Sequence, residues 1–320
     1  MSKWLLRGLL AGLVLLLAFC GAWFALVRQA NADMAPISRA DTRASFERSV
    51  AWMKAHESTV LGDGNSALWW MVKAAADRTQ DPYLTDLVSR SINLIYAGNK
   101  ASSPWRKLVD PQAVIVPNDL LVDELVAYQR FYYYAATCRV VEADQGGPGS
   151  QQFLERNQCR PLWRKVFLAD TVCSTHQLYG IRMARQSGCQ LEAGVSRLEE
   201  ELLGDIEWQL RIDPVFQDGY VQRVLAMQWV GGASRVKPAW IRQVLAAQRA
   251  DGGWSGDRLL IGVPDWLQPS SFRRLMSALM PGRFAQGTQE SAFHATAQGL
   301  LLMALASTAP DAVVSSVSDR

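Results

Sequence analysis

The sequence predicts an all-α body of about ten helices behind one N-terminal transmembrane helix. Three observations carry that prediction. Apolar residues recur at helical spacing in segment after segment, with Asn, Asp or Pro at the starts and Gly at several ends. Strand signals reduce to one short β-branched run, Ala113 to Val116, with no hairpin turn behind it. An uncharged run of 20 residues, Gly8 to Val27, is long enough to cross a bilayer core as a helix.

Lys3 and Arg7 precede that run and favour a cytoplasmic N-terminus, which would deliver the rest of the chain across the membrane. Two fates compete. Ala30-Asn31-Ala32 fits a signal-peptidase site, whereas the apolar length and Arg28 fit a retained anchor better. Leu17 to Cys20 resembles a lipobox, but Phe19 stands where a small residue is needed. The expected organisation is an anchor or signal segment over 1–32, an exported helical domain over 33–307, and a flexible tail over 308–320. The expected location is the inner membrane, single-pass, with the main domain on the periplasmic or extracytoplasmic side.

In the body, Ser45 to His56 has a helical pattern, and Asn65 or Ser66 caps a helix running to Ala76. Asp81-Pro82 opens another, stopped at Gly98-Asn99. Lys100 to Pro117 holds three prolines and reads as irregular. Asn118 caps a helix from Leu120 to about Cys138, and Asp144 to Ser150 is a glycine-rich loop. Helices follow over Trp163 to Gln186, Leu191 to Leu210, Gln217 to Val230 and Pro238 to Ala250. A mixed segment from Gly253 to Thr288 precedes a last helix from about Glu290 to Ala306.

Beyond Cys20 lie four cysteines, an even set within one region, which suits an oxidising compartment. Sequential pairing, Cys138–Cys159 and Cys173–Cys189, is the expected connectivity, with free buried thiols the alternative. No C-x-x-C spacing occurs and only 3 His are present, so no metal site is expected. Charge excludes another class. The chain has 33 Lys+Arg against 30 Asp+Glu, and Lys3, Arg7 and Arg28 account for the excess. The body is neutral and carries no basic footprint for nucleic acid.

Asp-Gly recurs at helix edges: Asp63-Gly64, Asp218-Gly219-Tyr220 and Asp251-Gly252-Gly253-Trp254. The last closes the string Gln248-Arg-Ala-Asp251-Gly-Gly-Trp254, read as a helix end, a glycine turn in positive φ, and a tryptophan packing back. This string resembles the Q-x-x-D-G-G-W turns of the α/α-toroid superfamily, the terpene-cyclase and prenyltransferase-like proteins. The run Phe293 to Leu305 is similar to an inner helix of that fold. The resemblance covers Gln243 to Leu305 and implies helical hairpins closed into a barrel around a central cavity. A generic bundle that uses Asp-Gly at its helix ends is the competing architecture. The D-x-D-D and D-D-x-x-D motifs of that superfamily's enzymes are missing, which argues against a cyclase.

Acid/base chemistry needs titratable groups brought together. Glu290 and His294 are four apart, one face of a helix, and a Glu–His pair tunes an imidazole. A helix-start Glu beside a structural histidine is the simpler account of the same spacing. His176 lies on another helix and is a candidate to converge on the same centre. Asp251 is a second carboxylate, although a turn hydrogen bond explains it as well. Trp254, Trp69 and Tyr220 are candidate walls for a ligand, with helix packing as their ordinary role. Trp69 and Trp70 are adjacent and point about 100° apart on a helix. No nucleotide or cofactor fingerprint occurs, and no cofactor is expected. The expected function is binding or processing of a cell-envelope glycan or polymer. A non-enzymatic scaffold or accessory subunit of a membrane-complex protein is the alternative, and isoprenoid or lipid binding the third.

Overall fold

A computed structural model describes residues 3–115, 125, 127–139, 172–191, 193–213, 218–256 and 290–308. Among these the chain is helical throughout, with no strand. α1 (Lys3–Ala30) is the apolar N-terminal helix. It is followed by α2 (Arg39–Ala55), α3 (Glu57–Leu61), α4 (Ser66–Thr79) and α5 (Pro82–Ile95). A short 3₁₀ turn, Pro104–Leu108, leads on to α6 (Ala127–Thr137), α7 (Val172–Gln186) and α8 (Val195–Ile212). α9 (Asp218–Ala226) runs into a π-helical turn, Met227–Gly231, before α10 (Pro238–Ala246) and α11 (Phe293–Ser307). The proposed cap at Asn118, the loop 144–150 and the segment 257–289 lie outside the described residues.

Local chemistry sets the starts. Ser38 accepts the Asp41 backbone N–H at the head of α2, and Asn65 accepts that of Ala67 at α4. At α5, Asp81 accepts the Leu84 N–H, and Pro82 occupies the first turn, where no donor is needed. Glu57 on α3 is held in a bidentate pair by Arg90 of α5, at 2.6 and 2.8 Å, and accepts the Tyr83 hydroxyl. The Arg90 hydrogen bonds bring the Glu57 carboxyl down to about 2.

α11 is buried on every side from Ala295 to Ala304, which makes it the central helix. α2, α4, α9 and the π turn all pack on it, and Leu300, Leu301, Leu302 and Met303 are fully buried. α5 backs α4, α7 packs on α6, α8 and α9, and α10 touches α9. Trp69 faces Phe293 of α11, whereas Trp70 stacks toward Trp229 and Tyr179, so the adjacent pair serves two different contacts. The run Phe131 to Tyr134 is buried on all sides of α6.

The sequential disulfide pairs do not form. Cys138 is bonded to Cys189, across 51 residues, with Cα atoms 5.0 Å apart. The physical reason is the direction of two helices. Gly180 of α7 lies against Phe131 of α6, and the residues just past both C-terminal ends are joined, so α6 and α7 run parallel. Pairing neighbours in sequence assumes the chain doubles straight back, and between α6 and α7 it does not. Cys159 lies outside the described residues, and of Cys173 only the helical backbone is described. Cys20 is free and exposed on α1.

Candidate functional site

The Gln248-to-Trp254 turn is a structural junction. Gln248 accepts Ser45 Oγ at 2.8 Å and Arg48 Nε at 3.0 Å, and donates to the carbonyls of Ser45 and Gly252. Asp251 accepts the Gly253 N–H and the Ser291 hydroxyl. Gly252 has φ +92°, and an added Cβ would sit 2.3 Å from the Arg48 carbonyl oxygen. Trp254 is fully buried, donates its indole N–H to the Val244 carbonyl, and lies flat enough on Gly299 that no side chain fits there.

Two helix starts hang on the segment that leaves this turn. The Trp254 carbonyl accepts the Ala292 N–H, and Thr296 Oγ1 accepts the Trp254 N–H, which locates the head of α11. The Gly256 carbonyl accepts the Asp218 N–H, which locates the head of α9. A buried pair, Arg223–Asp213 at 2.7 Å, ties α9 to the end of α8. Arg223 also donates to the Gly219 carbonyl. His294 and Asp218 are thereby brought together: Nδ1 and Oδ1 are 2.8 Å apart. Gln298, one turn along α11, donates to the same carboxylate oxygen at 3.1 Å.

This dyad opens on a cleft of about 280 Å³. Asn65 at the head of α4, Tyr132 of α6, His176 of α7, Gln222 of α9, and His294 and Gln298 of α11 line it, and Trp105 stands on the 3₁₀ turn. The His294 side chain is 44% exposed, so its ring reaches solvent while Asp218 holds it. Burial opposes the charged imidazole, but the Asp218 hydrogen bond and charge, with Asp63 nearby, raise its pKa above the ordinary value. Nδ1 is engaged by Asp218, which leaves Nε2 to act on a ligand. Gln222 and Gln298 are almost wholly buried, yet each carries an amide oxygen with no hydrogen-bond partner. Such an atom costs about 1–3 kcal/mol when left unpaired. The Gln298 amide cannot turn over without placing its oxygen against the Asp218 carboxylate.

The expected site residues divide. His294 and His176 do line one cleft. Glu290 does not belong with them. It is exposed and precedes α11, because Ala292 is extended and its N–H is taken by Trp254. No shared helix face with His294 exists, and the carboxylate on the imidazole is Asp218. Asp251 is spent on the turn and does not line the cleft. Trp254, Trp69 and Tyr220 are each fully buried core residues, and Trp105 and Tyr132 are the aromatic groups at the cleft instead. Asp218 went unselected in sequence although it stands in one of the three Asp-Gly steps. Gln222 and Gln298 carry no sequence signal, since a buried glutamine resembles any other polar residue on a helix. Among the described residues no three His, Cys, Asp or Glu side chains gather as for a metal ion.

No family model, curated protein or solved structure matches the chain. What the fold and geometry define, among the described residues, is an all-helical protein with one N-terminal apolar helix, a disulfide, and a cleft on which a His–Asp dyad opens.

Proposed function

We propose that this is a membrane-anchored, exported protein that binds and processes a cell-envelope glycan or related polymer in the His294 cleft. The observation that carries the reading is the His294–Asp218 dyad opening on a cleft that also carries the polar side chains of Asn65 and Gln222. Side chains of that kind pair with hydroxyl groups, which a sugar ring offers in number. Trp105 and Tyr132 supply flat faces for stacking on it. His294, whose charged form Asp218 favours, is the candidate to donate a proton from Nε2 to a ligand oxygen, with His176 as the second acid/base candidate. An apolar isoprenoid would leave the amides and the dyad unpaired, which weighs against the lipid reading.

The toroid belongs to this proposal. Five helices bring side chains to one cleft: α4, α6, α7, α9 and α11. Parallel inner helices are what a ring of helical hairpins supplies, and α5 against α4, α8 against α7 and α10 against α9 are the pairings such hairpins would use. Export rests on Lys3 and Arg7 ahead of the apolar run and on the disulfide.

The test is titration of the purified protein with soluble amino-sugar oligosaccharides cut from envelope polymers, followed by calorimetry and by chromatography of products. Binding is expected, with turnover reduced about 10²-fold in His294→Gln and Asp218→Asn. Neither binding nor product release with any such fragment refutes the reading.

A further inference from the structure

The apolar helix ends in a joint. α1 meets the body at α8 and α10 but is not buried in it: across Arg7–Ala30, 24 residues, none of its most apolar window is buried. Just past its last turn the chain is gripped. The Asn31 amide donates to the Arg211 carbonyl of α8 at 2.8 Å and to the Val27 carbonyl of α1 at 2.7 Å. Its side-chain oxygen accepts the indole N–H of Trp240 on α10 at 3.3 Å, and its backbone carbonyl accepts Lys237 Nζ at 3.2 Å. Arg242 donates to the carbonyls of Ala35 and Pro36. One asparagine therefore bonds α1, α8 and α10 together. A sequence reader would take the same residues for the flexible tether that usually follows a membrane helix.

Length turns this joint into a statement about the membrane. A helix of 24 residues rises about 36 Å, against about 30 Å of bilayer hydrocarbon, so a spanning α1 puts Asn31 at headgroup level. With Asn31 bonded directly to α8 and α10, no slack separates the body from the lipid surface. The residue types near the joint suit that depth. Arg28 is exposed on the last turn of α1, and Lys237 and Arg242 are basic. Trp208 is 41% exposed and one helical turn from Arg211. Tryptophan and basic side chains are the ones that settle at the membrane interface.

We propose that α1 is retained in the mature protein and that Asn31 is a rigid joint seating the α8–α10 face on the bilayer surface from which α1 emerges. The partner of that face is the lipid headgroup layer itself. Removal of α1 after Ala32 would strip the Arg211 carbonyl, the Trp240 indole and Lys237 of the partner they share. The proposal is independent of what the cleft binds.

The experiment uses the full chain in vesicles of phosphatidylethanolamine and phosphatidylglycerol, with a photoreactive phenylalanine analogue at Trp208 or, as control, at Leu94. Leu94 is exposed on α5, whose main packing partners are α4 and α3. Lipid adducts, read by mass spectrometry, are expected to be several-fold more abundant at position 208. Asn31→Ala should bring the yield at 208 down toward that at 94, and Trp240→Phe, which removes the indole donor together with part of the buried ring, should lower it part way. Equal yields at the two positions, or a yield at 208 unmoved by Asn31→Ala, overturns the joint. Retention is read from the N-terminal sequence of the protein extracted from membranes, and a start at Asp33 overturns it.

Discussion

His294 owes its chemistry to a residue 76 positions away. Asp218 supplies both the hydrogen bond and the charge that lift the imidazole pKa against the cost of burial. The sign of the resulting pH dependence follows. The pKa is higher in the folded protein than in the unfolded chain. The stabilisation is therefore complete below the unfolded value, near 6.5, and disappears as pH rises through the folded value. Denaturant midpoints of the wild type and His294→Gln, compared between pH 5.5 and 8.5, should converge with rising pH. A difference that stays constant across that range would mean the pair contributes no proton-linked stability. The same pair was half visible in the sequence. His294 stands out as one of 3 histidines, but spacing along the chain points to Glu290 as its carboxylate, and the helix begins three residues too late for that pairing.

At the scale of elements, the Gln248–Trp254 turn holds the site from behind. It fixes α2 through Gln248, α11 through Trp254, and α9 through Gly256. Gly252→Ala puts a side chain in a positive-φ position and against the Arg48 carbonyl, so it should cost about 1–3 kcal/mol of stability. It should also loosen the dyad, which would appear as a smaller pH effect than in the wild type. Gly204→Ala, inside α8 with open space around it, should instead stabilise by about 0.5–1 kcal/mol. Thermal melts of the two variants test the contrast, and similar shifts in the same direction would refute it. The turn was recognisable in sequence as a turn, because Asp-Gly-Gly-Trp is local chemistry. That it positions two catalytic candidates was not, since those hydrogen bonds reach to residues 218 and 292.

Across the whole molecule, exposed apolar surface is concentrated on α1, where Leu9, Leu10, Leu13, Val14, Leu15, Leu16, Leu17 and Phe24 are all more than half exposed. On the rest of the described chain, exposed large apolar side chains are scattered singly, at Met34, Leu94, Val114 and Trp208. Deleting residues 1–30 should therefore yield a body that stays monodisperse without detergent, whereas the full chain should need it. Size-exclusion chromatography of both settles this, and aggregation of the shortened chain would point to a second apolar face.

Sequence alone was enough for whatever depends on neighbours along the chain. The helical class, the starts of α4 and α5 at Asn65 and Asp81, the membrane-length helix and the neutral body all follow from spacing, capping chemistry and charge. Tertiary structure decided everything that depends on which ends meet. Parallel packing of α6 and α7 chose Cys138–Cys189 over the sequential pairs, and the segment from Trp254 to Gly256 chose Asp218 over Glu290 as the partner of His294. Helical periodicity specifies a face and a direction within one element, and it carries no information about the neighbour that the face will find.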